Sequence, residues 1–337
     1  MDVNSISGLN IKRIVRHYLT RLKTRWLVLL PLVSMALAFL WWSYPGIAFF
    51  TPQKRKINPL QFEYIISPRH VCSNSNTPSI LIIVLTTVEA YTMRKSIRET
   101  WGSVARTNKW PSRHIGISIK FVYLFGYSDN ANLRQRLRSE ASEFGDVLQV
   151  GITEAYGINV TKKILMGFKW AEEHCQGTGY VMKVDDDVFV DLPQVIDHLR
   201  TRQFSSYISG HKVWFSFTKR SGKYKLSYKE YPFCMIPSYI LGYFYVMPMG
   251  IMSRLLDASQ FVPYVRMEDV YITAILPRTI GVPMKAFKTF WFDRNYEVDI
   301  CDFVTKKRDL SVDVSPDNMY DIWKTYGDES LCKHELQ

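Results

Sequence analysis

An α/β fold behind an N-terminal membrane helix is what the 337 residues predict, and three observations carry that reading. Between Arg25 and Lys54 no side chain is charged. From Ser79 onward, short β-branched runs alternate with amphipathic segments, the pattern of a layered sheet with helices on its faces. One of those runs, Tyr180–Val184, leads straight into three consecutive aspartates.

The chain carries 43 Lys+Arg against 31 Asp+Glu, a formal charge of +12. Such a surplus raises the question of a nucleic-acid partner, and its distribution answers no. Residues 1–56 hold nine Lys/Arg and one acid, so residues 57–337 keep only 34 basic against 30 acidic side chains. The basic excess instead flanks the apolar run. Residues 26–50, with WLVLLPLVSMALAFLWW at their core, are long enough to cross about 30 Å of hydrocarbon as a helix. Trp26, Trp41, Trp42 and Tyr44 lie near the ends, where interfacial rings are favoured. Six basic residues precede the run and three follow, which keeps residues 1–25 cytosolic as a short tail. A cleaved signal peptide would have a shorter apolar region ending in small residues. The expected topology is therefore a single-pass type II signal anchor with everything after about residue 50 lumenal.

Two features accord with a lumenal setting. Asn159-Val160-Thr161 is an N-glycosylation sequon. All five cysteines (72, 175, 234, 301 and 332) follow the anchor, in a compartment where disulfides persist. Five is odd, so at least one is free or pairs between chains, and no CxxC or Cys/His spacing suggests zinc. Cys175, at the end of an amphipathic segment, can equally be a buried thiol.

Residues 51–77, rich in Pro, Asn, Ser and charge, read as a stem. Residues 78–337 read as one lumenal catalytic domain. Ser79–Thr87 is a run suited to a strand buried on both faces. A helix is expected over Thr92–Trp101, a strand over Ile117–Phe125, a charged surface helix over Asn132–Phe144 and a strand over Asp146–Val150. The recurrence of Val160, Ile164, Phe168 and Ala171 marks a further helix.

The string Lys183-Val184-Asp185-Asp186-Asp187-Val188-Phe189-Val190 is the most informative. In an open α/β sheet, ligands are held at the carboxyl ends of strands. Asp185 and Asp187 share a face of extended chain, and hard oxygen ligands of this kind suit Mg²⁺ or Mn²⁺. A solvated acidic turn is the plain alternative.

Several strings, in order, resemble the β-1,3-galactosyltransferase family (glycosyltransferase family 31). Arg94 to Gly102 is similar to its R-x-x-I-R-x-T-W-G segment. Tyr156, Asn159 to Lys163, Trp170 and Cys175 resemble its Y-x-N-L-T-x-K block. Lys183 to Val190 matches K-x-D-D-D-V-F-V, and Glu268-Asp269-Val270-Tyr271 matches E-D-V-Y. Tyr231-Pro232, Gly242, Cys301, Ser315-Pro316 and Trp323 extend the likeness, which runs from about residue 72 to the end.

The resemblance implies a GT-A-type nucleotide-sugar-binding fold, a mixed sheet flanked by helices. It implies an inverting enzyme that moves a hexose, galactose favoured, from a UDP-sugar with Mn²⁺ as cofactor. The acceptor would be a hydroxyl of a glycan on glycoprotein or glycolipid, the linkage β-1,3 and the location the Golgi membrane. A β-1,3-N-acetylglucosaminyltransferase, or a catalytically silent relative acting as a Golgi chaperone or partner, is the alternative. On this reading Asp187 and Asp185 contact metal, with Asp185 and Asp186 on the UDP side. Arg94 and Arg98, one helical turn apart, contact UDP unless they form structural ion pairs. Asp269 is the general base with Glu268 second, although acids at a helix start are also stabilised by the macrodipole. Tyr231, Trp214 and Trp291 could stack on sugar rings. Three departures stand out: Val312 where many relatives place a His, Thr273 where glycine is usual, and an apolar block, Tyr231 to Ser238.

Overall fold

The computed structural model describes residues 26–27, 29–39, 51–72, 79–111, 113–200, 206–287, 301–327 and 329–332. Two units are described separately, 1–51 and 52–337. In the first, residues 26–27 and 29–39 are helical and exposed. No helix among the described residues is long and apolar enough to cross a membrane. The tail at 1–25 and residues 40–50 lie outside the described residues.

The second unit is built on an eight-stranded mixed sheet. Its strands are β1 (Tyr64–Ile66), β2 (Ser79–Leu85), β3 (Ser118–Tyr127), β4 (Val147–Thr153), β5 (Tyr180–Asp185), β6 (Ile208–Val213), β7 (Tyr239–Pro248) and β8 (Met284–Ala286). Their spatial order is β1-β4-β3-β2-β5-β7-β6-β8. β4, β3, β2 and β5 are parallel. Beyond them β7 runs antiparallel to both β5 and β6, and β1 runs antiparallel to β4. The strand SILIIVL is central and buried almost throughout, as its unbroken apolar run requires.

Helices cover both faces. Ile80, Ile82 and Val84 of β2 share one apolar core with Ile97 of α1 (Tyr91–Glu99), Leu137 of α2 (Ala131–Phe144), Val195 of α4 (Leu192–Leu199) and Ile322 of α7 (Pro316–Gly327). On the other face lies α3 (Ile158–His174), whose Gly167 sits so close that an added Cβ would meet Leu124 Cδ2 at 2.8 Å and Ile83 Cγ2 at 3.7 Å. α5 (Met249–Ser259) packs beside α3, and the helical stretch α6 runs over residues 268–280.

The predicted stem needs correction. Residues 52–72 belong to the folded unit, because their backbone and polar groups find partners there. Gln53 N–H donates to Phe261 O at 2.8 Å, and Asn58 Nδ2 donates to Ser259 O and Val262 O at 3.0 and 2.6 Å. Tyr64–Ile66 adds a strand to the sheet. Two disulfides close the unit, Cys72–Cys175 and Cys301–Cys332, leaving Cys234 exposed and unpaired within the chain. Cys175 is therefore bridged, and its end-of-helix position serves to pin the segment ahead of β2. Because that bridge spans 103 residues, Cys175→Ser should lower the unfolding free energy by about 2–4 kcal/mol. The expected readout is a lower urea midpoint with a steeper slope, because the unfolded chain exposes more surface without the bridge.

Candidate active site

The chain leaves β2 towards β3 on one side and returns through β4 and α3 to β5 on the other. The crevice at the carboxyl ends of β2 and β5 is thus a topological switch point, the usual ligand position in such sheets. Leu85 and Asp185 are in register there. Thr86 and Asp185–Asp187 follow at once. Thr86 donates its hydroxyl to Asp186 Oδ2 at 2.5 Å, and Lys183 Nζ donates to Asp185 Oδ1 at 2.6 Å.

Asp187 is half-buried, and its carbonyl accepts from Val314 N–H at 2.9 Å. That bond, with the pairing of Leu310–Ser311 onto Phe189–Val190, brings the C-terminal segment against the acidic cluster. Burial, helped by Asp185, Asp186 and Asp313, pushes the Asp187 carboxyl up to about 6. Val312 packs its side chain against the core, and the titratable neighbour at this turn is Asp313, held at φ 56°. Among the described residues no three His, Cys, Asp or Glu converge to hold a metal ion. Divalent cations in phosphate sites usually rest on one or two carboxylates plus substrate oxygens. Asp187, crowded by like charge, fits that mode.

The structure corrects the assignment of Arg94 and Arg98. Arg94 is fully buried. Its Nε and Nη2 bind the two oxygens of Glu140 at 2.8 and 2.7 Å, and its Nη1 donates to Thr87 O at 2.5 Å and Thr86 Oγ1 at 3.3 Å. Arg98 binds Asp146 through two hydrogen bonds of 2.9 and 2.8 Å, reaches Glu140 at 2.8 Å and lies over the Tyr123 and Phe144 rings. These guanidiniums brace the fold, and Arg94 holds the loop after β2 from beneath.

The second carboxylate pair comes from the antiparallel half of the sheet. The β7–β6 register shifts between Ile240 and Tyr245, a bulge that carries Gly242 up to α6. A Cβ on Gly242 would lie 3.2 Å from both Asp269 Cβ and Glu268 Oε2. Within α6, residues Tyr271–Ile275 form a π turn, a distortion frequent at functional sites. Thr273 belongs to that turn. Its hydroxyl accepts from Ile240 N–H at 2.8 Å and contacts Ile240 O and Asp269 O at 3.1 and 2.6 Å. A glycine could supply none of these bonds.

Glu268 is buried, accepts from Tyr245 OH at 2.5 Å and lies 3.9 Å from Lys183 Nζ. Asp269 is only half-buried and accepts from Val270 N–H at 2.8 Å. Burial raises both, Glu268 to about 7 and Asp269 to about 6, although Lys183 pulls both down. Lys183 also donates to Gly242 O, so one ammonium joins the aspartate cluster to the bulge and to Glu268. Behind the cluster, Lys163 bonds Glu154 at 2.5 Å and Thr86 O at 3.2 Å.

Thr86, Lys163, Lys183, Glu154 and Tyr245 escape sequence reasoning as site residues, although Lys163 and Lys183 lie inside the recognised strings. Among the predicted aromatics, Tyr231 is buried with its hydroxyl on Met235 O at 3.0 Å, Trp214 is 75% exposed, and Trp291 lies outside the described residues. Asn159 is not presented on a loop. It sits in the first turn of α3 with its amide on Thr153 O at 3.0 Å, and Thr161 is buried with its hydroxyl on Val265 O.

Carboxylates gathered at the switch point of an α/β sheet, joined through Lys183 to a second pair of raised carboxyls, form the candidate active site. The family model described as Galactosyltransferase matches residues 92–288, and the chain belongs to that family, as a hexosyltransferase. It is 29% identical to beta-1,3-galactosyltransferase 1 of Homo sapiens over 299 residues, which are 86% of this chain and 85% of that protein. It is 27% identical to beta-1,3-galactosyltransferase 5 of Mus musculus, over 67% of this chain and 72% of that one. UDP-GalNAc:beta-1,3-N-acetylgalactosaminyltransferase 1 of Homo sapiens is 26% identical over 71% and 72% of the two chains.

Removing one partner of a buried ion pair costs about 3–5 kcal/mol, since the other charge stays buried alone. Because Arg98 still reaches Glu140 at 2.8 Å, Arg94→Met should cost the lower end of that range, about 3 kcal/mol, in urea unfolding, and Arg94→Met combined with Glu140→Leu should recover only part of it, since Arg98 then loses a partner.

Proposed function

We propose that this hexosyltransferase takes galactose from UDP-galactose and transfers it, with inversion, to a glycan hydroxyl in β-1,3 linkage on a glycoprotein or glycolipid. The observation that carries the reading is the carboxyl pair at the start of α6 set against the aspartate cluster: Lys183 joins Asp185 to Glu268, and the adjacent Asp269 is the half-buried, raised carboxyl of that pair. The relatives named for β-1,3 transfer support the linkage. The open α/β sheet with its parallel half under the aspartates supports a GT-A-type arrangement. The uncharged stretch at 26–50 supports a type II anchor, and with it residence in the Golgi membrane.

Asp269 is the general base. It is accessible where Glu268 is enclosed, and at neutral pH it is ionised yet basic enough to take the acceptor proton. Glu268, clamped by Tyr245 and Lys183, orients the helix start and keeps its neighbour in place. Asp187 and Asp185 lie on the diphosphate side and would hold Mn²⁺, with Asp186 fixed by Thr86 beneath them. When bound, the cation neutralises the charge that develops on the departing diphosphate.

The donor assignment is tested by incubating the full chain with Mn²⁺, a broad acceptor panel and UDP-galactose, UDP-N-acetylgalactosamine or UDP-N-acetylglucosamine. Transfer from UDP-galactose is expected to dominate and to fall at least about 10²-fold in Asp187→Ala. Transfer with another donor alone would reassign the sugar, and no UDP release with any donor would favour the silent partner role.

The raised carboxyls set the pH dependence. Asp269 must be ionised to act, so kcat/KM should fall as pH drops through about 6, with an apparent value shared between the two coupled carboxyls. Asp269→Asn should lower kcat by about 10²–10⁴-fold, and Glu268→Gln by less. Stability moves the other way. Folded values above the unfolded ones favour the protonated folded state, so this contribution is complete below about pH 4 and is lost as pH rises through 6 to 7.

A further inference from the structure

At the amino-terminal ends of the strands, opposite the aspartates, β3 begins well before its neighbour. Its ladder with β4 starts only at Tyr123↔Val147, leaving residues 118–122 without a β4 partner. The segment at 66–71 passes there, and between them opens a cavity of about 580 Å³, a size typical of small-molecule sites. Four Lys/Arg line it (Arg69, Arg98, Arg106 and Lys120) against a single acid, Asp146. That acid is already committed to Arg98 through two hydrogen bonds.

One buried cation, Lys120, has no partner, and a second, Arg98, keeps one nitrogen unbonded although Asp146 and Glu140 pair its charge. Lys120 is 7% exposed, and its Nζ has no hydrogen-bond partner. Arg98 is also 7% exposed, and its Nη1 has none. The buried Tyr123 hydroxyl on the same wall is likewise unbonded. Buried charge without a partner is costly, and such groups are ordinarily paired. Burial accordingly pushes the Lys120 ammonium down. The remaining walls include Ile119, Phe121 and Phe144, which offer an apolar bed beside the donors.

We propose that this cavity binds a phosphate monoester, its dianion between Lys120 and Arg98 and its organic body on the apolar wall. A phosphate monoester carries about −1.5 to −2 at neutral pH, matching the unpaired Lys120 and the exposed Arg69 and Arg106 at the rim, and offers three acceptor oxygens to the ammonium, the free Nη1 of Arg98 and the hydroxyl. Nothing in the transfer reaction uses these groups, so the site stands independently of it.

The test is isothermal titration of the detergent-solubilised full chain with phenyl phosphate. One saturable site is expected, with inorganic phosphate at least about tenfold weaker because it leaves the apolar wall unfilled. Affinity should drop at least about tenfold in Lys120→Gln, recover in Lys120→Arg and stay unchanged in Asp187→Ala. Arg106→Gln, at an exposed rim position, gives a second variant that loses one hydrogen bond, from Nη2 to Arg98 O at 3.1 Å, and it should weaken binding several-fold. No saturable binding, equal affinity for the two phosphates, wild-type binding by both Lys120→Gln and Arg106→Gln, or loss of binding in Asp187→Ala would each overturn the proposal.

Discussion

A buried guanidinium–carboxylate pair, Arg94 with Glu140, underlies the geometry of the crevice. Both groups are buried, and taking both out of solvent is expensive unless every hydrogen is used. Here they are used. Burial alone would raise Glu140, but Arg94 and then Arg98 hold it below its ordinary value, so the pair stays ionised. The hydrogens of Arg94 that Glu140 does not take go to Thr87 O, Val88 O and Thr86 Oγ1. Thr86 in turn holds Asp186. A continuous polar chain therefore runs from α2, through α1 and the end of β2, to the middle aspartate. The loop that must present three adjacent carboxylates is set from below by a charge that solvent cannot reach.

The two halves of the sheet make different contributions to the site. The parallel half delivers Asp185–Asp187 by ending β5 in register with β2. The antiparallel half delivers Glu268 and Asp269 through a bulge and a π turn that would be unfavourable without Thr273 bonding both backbone groups of Ile240. Among the described residues, Lys183 is the buried cation that joins both halves. Burial tends to discharge it, and Asp185 and Glu268 outweigh that effect and keep it protonated. The spacing of the two carboxylate sets thus depends on a single ammonium and on the absence of a side chain at Gly242.

Much of this was legible in the sequence. Unbroken β-branched runs and amphipathic helices placed β2, β3, β5, α1 and α2 to within two residues, because burial on both faces leaves little choice of composition. The aspartates at the end of a strand were legible for the same reason. The fates of Arg94 and Arg98 were not. A spacing of four puts them on one face of a helix and says nothing about whether that face meets ligand or core, and their partners lie 46 and 48 residues away. Thr273 read as a departure from pattern, and only the bulge at Ile240 shows what its hydroxyl does. The stem was misread because Pro, Asn and charge mark irregular backbone whether or not that backbone is docked. Lys120, alternating with apolar residues along β3, gave no sign that its buried ammonium is left unpaired in the wall of a cavity.

The Cys72–Cys175 bridge has a consequence for synthesis. Its partners are 103 residues apart, and a ribosome adds about 5–20 residues each second. The first thiol therefore emerges on the order of 5–20 s before its mate. During that interval β2 and α1 are complete, while Glu140, which must neutralise Arg94, is made only partway through the wait. Closure of the covalent loop thus comes after the ionic partner of α1 exists, so correct oxidation reports on a half-sheet that has already had the means to assemble.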